Sequence, residues 1–121
     1  MSKEVCHIIL PFITPSNNEL LKMHHIKRWR LKKDYMWELV AVGANELKYK
    51  VNGQERREVR FMSFRPGIPD IDNLIGGFKL LQDALVDLEL IYDDSPKYAD
   101  IYYFQKVDKK NPRTEIKILR R

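Results

Sequence analysis

The chain contains a single cysteine, Cys6, so no internal disulfide can staple it, and one free thiol fits a reducing compartment. Lying in "VCHIILPFI", that thiol is expected to be buried and inert. No apolar run approaches the ~18 residues that a spanning helix needs. The opening residues also lack the basic start, apolar centre and small-residue cleavage site of a secretory signal. The expectation is a cytoplasmic, nucleoid-associated protein with no membrane partner. Internal repeats, low-complexity tracts and interdomain linkers are absent, as are a Gly-rich phosphate loop, a Ser-His-Asp order and a Cys/His cluster with zinc spacing. His24 and His25 point ~100° apart on a helix, which favours surface or packing roles over a shared ligand. His7, within a strand pattern, is expected to be a packed or edge histidine.

What is present bounds the answer further. A chain of 121 residues fits one domain, and 44% hydrophobic residues, with Trp29 and Trp37 among them, supply a core. Twenty-two Lys and Arg against 17 Asp and Glu give a net charge of +5, a mild lean toward polyanionic partners. On charge alone, a solvated face explains any single basic cluster.

Glu4 to Ile13 reads as an opening strand that stops at Pro15, and "TPSNNELL" supplies turn chemistry with Asn17 or Asn18 as a helix cap. A helical pattern from Met23 to about Asn45 puts Ile26, Trp29, Met36, Leu39 and Val40 on one stripe. "REVRFMSFR" alternates as a strand, with Val59, Phe61 and Ser63 on one side and Arg60 and Met62 on the other. Leu74, Phe78, Leu81, Leu85 and Leu88 mark a second helix from about Asp72 to Leu88, with Gly76-Gly77 as a kink or a close approach by another backbone. "DIYYFQKVDK" and "RTEIKILRR" read as a strand pair around "KKNPR", a hairpin with a slightly long loop. The order β, α, β, α, β, β predicts a compact α+β domain, a mixed sheet packed against two main helices.

The chemically loaded stretch is "RPGIPDIDNLIGG". On an extended segment, Asp70 and Asp72 point the same way, and two carboxylates that close need compensating positive charge. Hard oxygen ligands suit Mg²⁺ or Mn²⁺. The simpler alternative has Asp72 capping the following helix and Asp70 favouring its positive end. At 100° per residue, Asp72, Lys79 and Asp83 fall within about 20° of a common line, a polar row beside the apolar face. The competing explanation is a solvated i,i+4 pair between Lys79 and Asp83. A second acidic pair, Asp93-Asp94, follows the helix, and only a returning segment such as "SPKYADIYYF" can bring it back. Spacing alone leaves that question open.

"PSNN" (Pro15 to Asn18), "DIDNL" (Asp70 to Leu74), "DAL" (Asp83 to Leu85) and "LIYDD" (Leu90 to Asp94) together resemble the RusA-type Holliday junction resolvases, small phage and prophage endonucleases. The resemblance runs roughly from Leu10 to Ile118. It implies a homodimeric, Mg²⁺-dependent endodeoxyribonuclease that nicks opposing strands of four-way DNA junctions in recombination and repair. It also implies Asp70, Asp72 and Asp94 as catalytic metal ligands and a lysine beside them. Lys79 is the nearest lysine, although "IGGFKLLQ" is longer than the corresponding family stretch. Asp93 is an alternative to Asp94, Asp83 an outer residue of the site, and Asn73 a group that positions carboxylates.

DNA phosphates are expected to meet Lys27, Arg28, Arg30, Lys32 and Lys33 on the first helix, and Arg57, Arg60, Arg65 and Lys97 nearer the acids. Trp29, Trp37, Phe61 and Phe64 are candidate dimer surfaces. Two alternatives stand beside this expectation: a non-catalytic DNA-binding protein on the same fold, and a nuclease for other branched nucleic acids.

Overall fold

The structure, a computed structural model, describes residues 3–121. Its strands are β1 (Lys3–Leu10), β2 (Arg57–Arg65), β3 (Ala99–Val107) and β4 (Arg113–Arg120). The helices are α1 (Asn17–Lys22), α2 (His25–Ala41), α3 (Ile71–Gly77) and α4 (Lys79–Asp87), with a short 3-10 turn at Leu47–Tyr49. The sheet order is β1-β4-β2-β3; β2 runs parallel to β3 and antiparallel to β4, which pairs antiparallel with β1. The fold is therefore α+β with a mixed four-stranded sheet.

The strand alternation is borne out. Val59, Phe61 and Ser63 are buried on the helix-facing side of β2, where Ile116 and Ile118 of β4 join them. The expected hairpin is not found. β3 and β4 flank β2 instead of pairing, and Asp108, just past β3, donates its backbone N–H to Arg65 O at 2.8 Å as the chain passes the end of β2. Burial explains the exchange. β4 buries Thr114, Ile116, Ile118 and Leu119 and so takes an interior position, while β3, which carries Tyr102, Phe104 and Lys106, is left at the edge.

The long helix expected from Met23 to about Asn45 is α2, His25–Ala41, and a separate short helix, α1, precedes it. Ser16 caps α1 by accepting from Glu19 N, and the Glu19 carboxylate accepts from Ser16 N in return. Neither Asn17 nor Asn18 is the cap. His24 then starts α2, its ring Nδ1 accepting from Ile26 N at 3.2 Å. The stripe predicted for this helix is also revised: Tyr35 and Leu39 are buried, whereas Ile26 and Trp29 face outward. Tyr35 stacks on Phe12 with ring centroids 5.3 Å apart.

The second predicted helix breaks where the glycines stand, giving α3 and α4 joined at Phe78. A Cβ at Gly77 would lie 2.1 Å from Pro15 O, and one at Gly76 would lie 2.4 Å from Asn17 Cγ. The Pro15–Asn18 turn thus lies directly on α3, and only glycine permits that approach. Gly77→Ala is expected to cost about 3 kcal/mol, because its clash is with backbone that cannot swing aside. A urea titration showing an unchanged midpoint would contradict this packing.

Burial pushes the Cys6 thiol up to about 11, with the Arg57 charge opposing the shift. At pH 8 only about one chain in a thousand then carries the thiolate, the species that reacts. Native protein should therefore react with a disulfide reagent at least ~10-fold more slowly than urea-unfolded protein, as followed by absorbance.

Candidate functional site

The segment after β2 turns through Pro66 and Gly67 and enters α3 at Asp70. Asp70, not Asp72, is the cap: its Oδ1 accepts from Asn73 N at 3.0 Å. The Asn73 side-chain amide lies 3.5 Å from Asp70 Oδ2, and its Oδ1 accepts from Asn18 N at 3.1 Å. Asn73 therefore links the Pro15–Asn18 turn to the Asp70 carboxylate. Asp72 lies one residue into the first turn, exposed and without an ion-pair partner among the described residues.

The break at Phe78 makes Lys79 the first residue of α4. Its ammonium lies 3.0 Å from Asp83 Oδ1, one turn on, and 2.8 Å from Asp94 Oδ2. Asp94 is brought there by the segment between Leu88 and β3, so a returning chain does deliver the second acidic pair to the helix. Of that pair it is Asp94, not Asp93, that meets the lysine. Hydrogen bonds from Lys79 to Asp94 and then Asp83 raise the lysine pKa well above its ordinary value, so it stays charged across the neutral range. The row predicted for one continuous helix is interrupted: Lys79 and Asp83 share α4, while Asp72 belongs to α3.

The edge strand β3 runs beside these groups. Tyr103 Oη takes a hydrogen bond from Gln82 Nε2, and Gln105 Nε2 donates to Pro69 O at 3.0 Å. Burial raises the Tyr103 pKa; Asp94 adds to the rise, while the Gln82 bond and Lys79 oppose it. One strand therefore contacts both the Pro69–Asp70 segment and α4, through side chains roughly 6.7 Å apart along the strand. A cleft of about 370 Å³ opens beside Asp94, bordered by Gln82, Pro96 and Tyr103.

The structure joins Asp94 to Lys79 and Asp83, and Asp70 to Asn73. Among the described residues it assembles no group of three or more His, Cys, Asp or Glu able to hold a metal ion. Asp70, Asp72 and Asp94 therefore do not form a closed three-acid cage within one chain.

The predicted DNA contacts divide sharply. Lys27, Arg30 and Lys33 are exposed on α2, Arg28 is half-buried there, and Lys97 is exposed near the second acidic segment, its ammonium 5.3 Å from the Tyr98 ring centroid. Lys32 ties α2 to α4 through Asp87 at 2.7 Å. Arg57 and Arg65 must be withdrawn as DNA contacts. Arg57 is 0% exposed and donates to Tyr49 O at 2.5 Å, Leu90 O at 2.7 Å and Lys50 O at 3.2 Å. Arg65 is buried and donates to Ser63 Oγ. Both share strand parity with Val59 and Phe61, and that parity is the sequence signal that marks them as inward-facing. Arg60 has the opposite parity and lies on the sheet face away from the helices, paired with Glu58 at 2.5 Å. Phe61 is buried and offers no surface, while Trp29 and Trp37 are 59% and 72% exposed.

Gln82 and Tyr103 were not singled out from the sequence; the only available signal was a polar residue within the apolar run of α4. No helix among the described residues is long and apolar enough to cross a membrane. No protein-family model matches the chain, and no curated protein matches it.

Proposed function

We propose that this chain is a Mg²⁺-dependent, structure-specific endodeoxyribonuclease of RusA type. In this reading it acts in the cytoplasm as a homodimer that resolves four-way DNA junctions by paired nicks. One observation supports the reading above the others: Asp94, a position that the resemblance assigns to the site, meets Lys79, the nearest candidate for its lysine, at 2.8 Å across fifteen residues of chain.

Asp70 and Asp72 suit a hard cation: both are exposed, both are oxygen donors, and among the described residues neither has an ion-pair partner. Mg²⁺ is commonly held by one or two carboxylates with waters and phosphate oxygens completing its shell. Asp70 and Asp72 would hold it, with waters and phosphate oxygens completing its shell, and Mn²⁺ would substitute. The chemistry supplied by the bound ion is activation of a water and neutralisation of charge on the scissile phosphate. Asn73 fixes the Asp70 carboxylate by two contacts, so that one ligand is oriented before DNA arrives. Lys79, a point charge on a flexible stem, stabilises negative charge developing on the phosphate. Lys27, Arg30, Lys33 and Lys97 supply sequence-independent phosphate contacts, which should weaken steeply with salt.

Asp72→Asn tests the assignment. Nicking of a synthetic junction in Mg²⁺ should fall by at least ~100-fold, since a charged ligand is lost. Junction affinity should remain within a few-fold. Full nicking by this variant would falsify the role given to Asp72.

A second reading, DNA binding without catalysis, is favoured by one specific observation: the Asp70 carboxylate already serves as a helix cap, a role that needs no metal. Under it, Mg²⁺ leaves the melting temperature unchanged and no junction is cut. Cleavage of forks or flaps in preference to four-way junctions, in a substrate panel, would instead point to other branched nucleic acids.

A further inference from the structure

The four-stranded sheet has helices on one side only, and its other face carries a pattern that the candidate site does not use. Tyr102 and Phe104, two apart on the edge strand β3, are 46% and 52% exposed there. In the parallel ladder, Tyr102 lies opposite Arg60, Phe104 opposite Met62, and Lys106 opposite Phe64. Across β2, Lys117 of β4 lies opposite Arg60. The resulting hollow of about 400 Å³ is lined by Arg60, Met62, Phe64, Phe104, Lys106 and Lys117. One side of the Phe64 ring is already covered by the Arg113 guanidinium, 3.8 Å from its centroid.

We propose that this face binds unpaired, single-stranded nucleic acid, with bases stacking on Phe104 and Tyr102 and the backbone following Lys106 and Lys117. The first support is charge. The acids on this face include Glu58, Glu115 and Asp100, engaged by Arg60, Arg121, Arg113, His7 and Arg56, and Glu4 on β1, which is exposed and unpaired among the described residues. Lys106 and Lys117 have no carboxylate within 4.0 Å among the described residues. The surplus charge on the face is therefore positive. The second is shape. Open rings two residues apart on one edge strand offer π surfaces to bases that are not stacked in a duplex, and such stacking does not depend on sequence. A second copy of this chain is disfavoured as the occupant, because opposing two such faces would bring Lys106, Lys117 and Arg60 against like charges, with Glu4 alone as an unpaired acid to offset them among the described residues. An acidic protein segment would satisfy the lysines and leave the exposed rings without a flat partner.

This inference concerns a surface on the opposite side of the sheet from Asp70 and Lys79, and it stands or falls separately from the nuclease reading. The test is fluorescence anisotropy with a labelled oligo-dT and a labelled duplex of equal length, in chelator so that nothing is cut. Single-strand binding should weaken on the order of tenfold for Phe104→Ala, since one stacked base is lost. Lys106→Gln with Lys117→Gln should lower the slope of log affinity against log salt by about 1 to 2. All substituted side chains lie on the open face, and unchanged far-ultraviolet circular dichroism checks the fold. Phe104→Ala binding within twofold of the parent, or binding to duplex alone, would overturn the proposal. So would a dimer, seen by sedimentation equilibrium, that Phe104→Ala dissociates, because the occupant would then be a second copy.

Discussion

Arg57→Ala should destabilise the fold by about 3–5 kcal/mol, lowering the urea midpoint far enough that the chain is largely unfolded at physiological temperature. The reason is positional. Arg57 is the first residue of β2, points into the core, and its guanidinium holds the carbonyls of Tyr49, Lys50 and Leu90. Removing it orphans three acceptors and leaves Glu55 without its 3.2 Å partner. Arg57→Lys should recover only part of the loss, because one ammonium cannot reproduce a fork aimed at several carbonyls. The carbonyls belong to the 3-10 turn and to the segment leading to Asp94, so the arginine also fixes the approach of the second acidic pair. A midpoint within 1 kcal/mol of the parent would show that these bonds contribute little.

The second large effect concerns activity. Lys79→Met should reduce junction nicking by at least ~100-fold while leaving the melting temperature within a few degrees, since the lysine is well exposed and its ion pairs are worth little to stability. Asp94→Asn should give a comparable loss. The pH profile carries a matching signature. Because Asp94 and Asp83 hold the Lys79 pKa above its ordinary value, its charge persists below that raised value and is lost only as pH rises through it. Activity should therefore not decline between pH 8 and 10 through deprotonation of this lysine. Asp83→Asn removes one of the two partners and should move any alkaline limb toward lower pH.

Much of this architecture was legible in the residues, and the failures have physical causes. Alternation in β2 marks its inward face, and parity outweighs charge at Arg57 and Arg65, where backbone carbonyls and Ser63 receive the guanidinium. The glycine pair was recognisable as a break or a close approach, and it is both, but the identity of the approaching backbone depended on tertiary packing by Pro15. A hairpin between β3 and β4 was the simplest local expectation; pairing partners are set by which strand buries more apolar surface, and β4 buries more. Ser16 and Glu19 formed a visible capping box, and its turn chemistry was assigned to the neighbouring asparagines. For the site, helical phase placed Lys79 and Asp83 together. That Asp94 joins them follows from the path between Leu88 and Ala99, which spacing does not encode. Gln82 and Tyr103 carried no motif at all.

The most direct measurement is incubation of purified protein with labelled four-way and linear duplex DNA, with Mg²⁺ and with chelator. Symmetric nicks in the branched substrate alone, dependent on the metal, are the expected result. An intact junction at saturating protein and Mg²⁺, or equal cutting of linear duplex, would contradict the claim that these acids and Lys79 serve junction resolution.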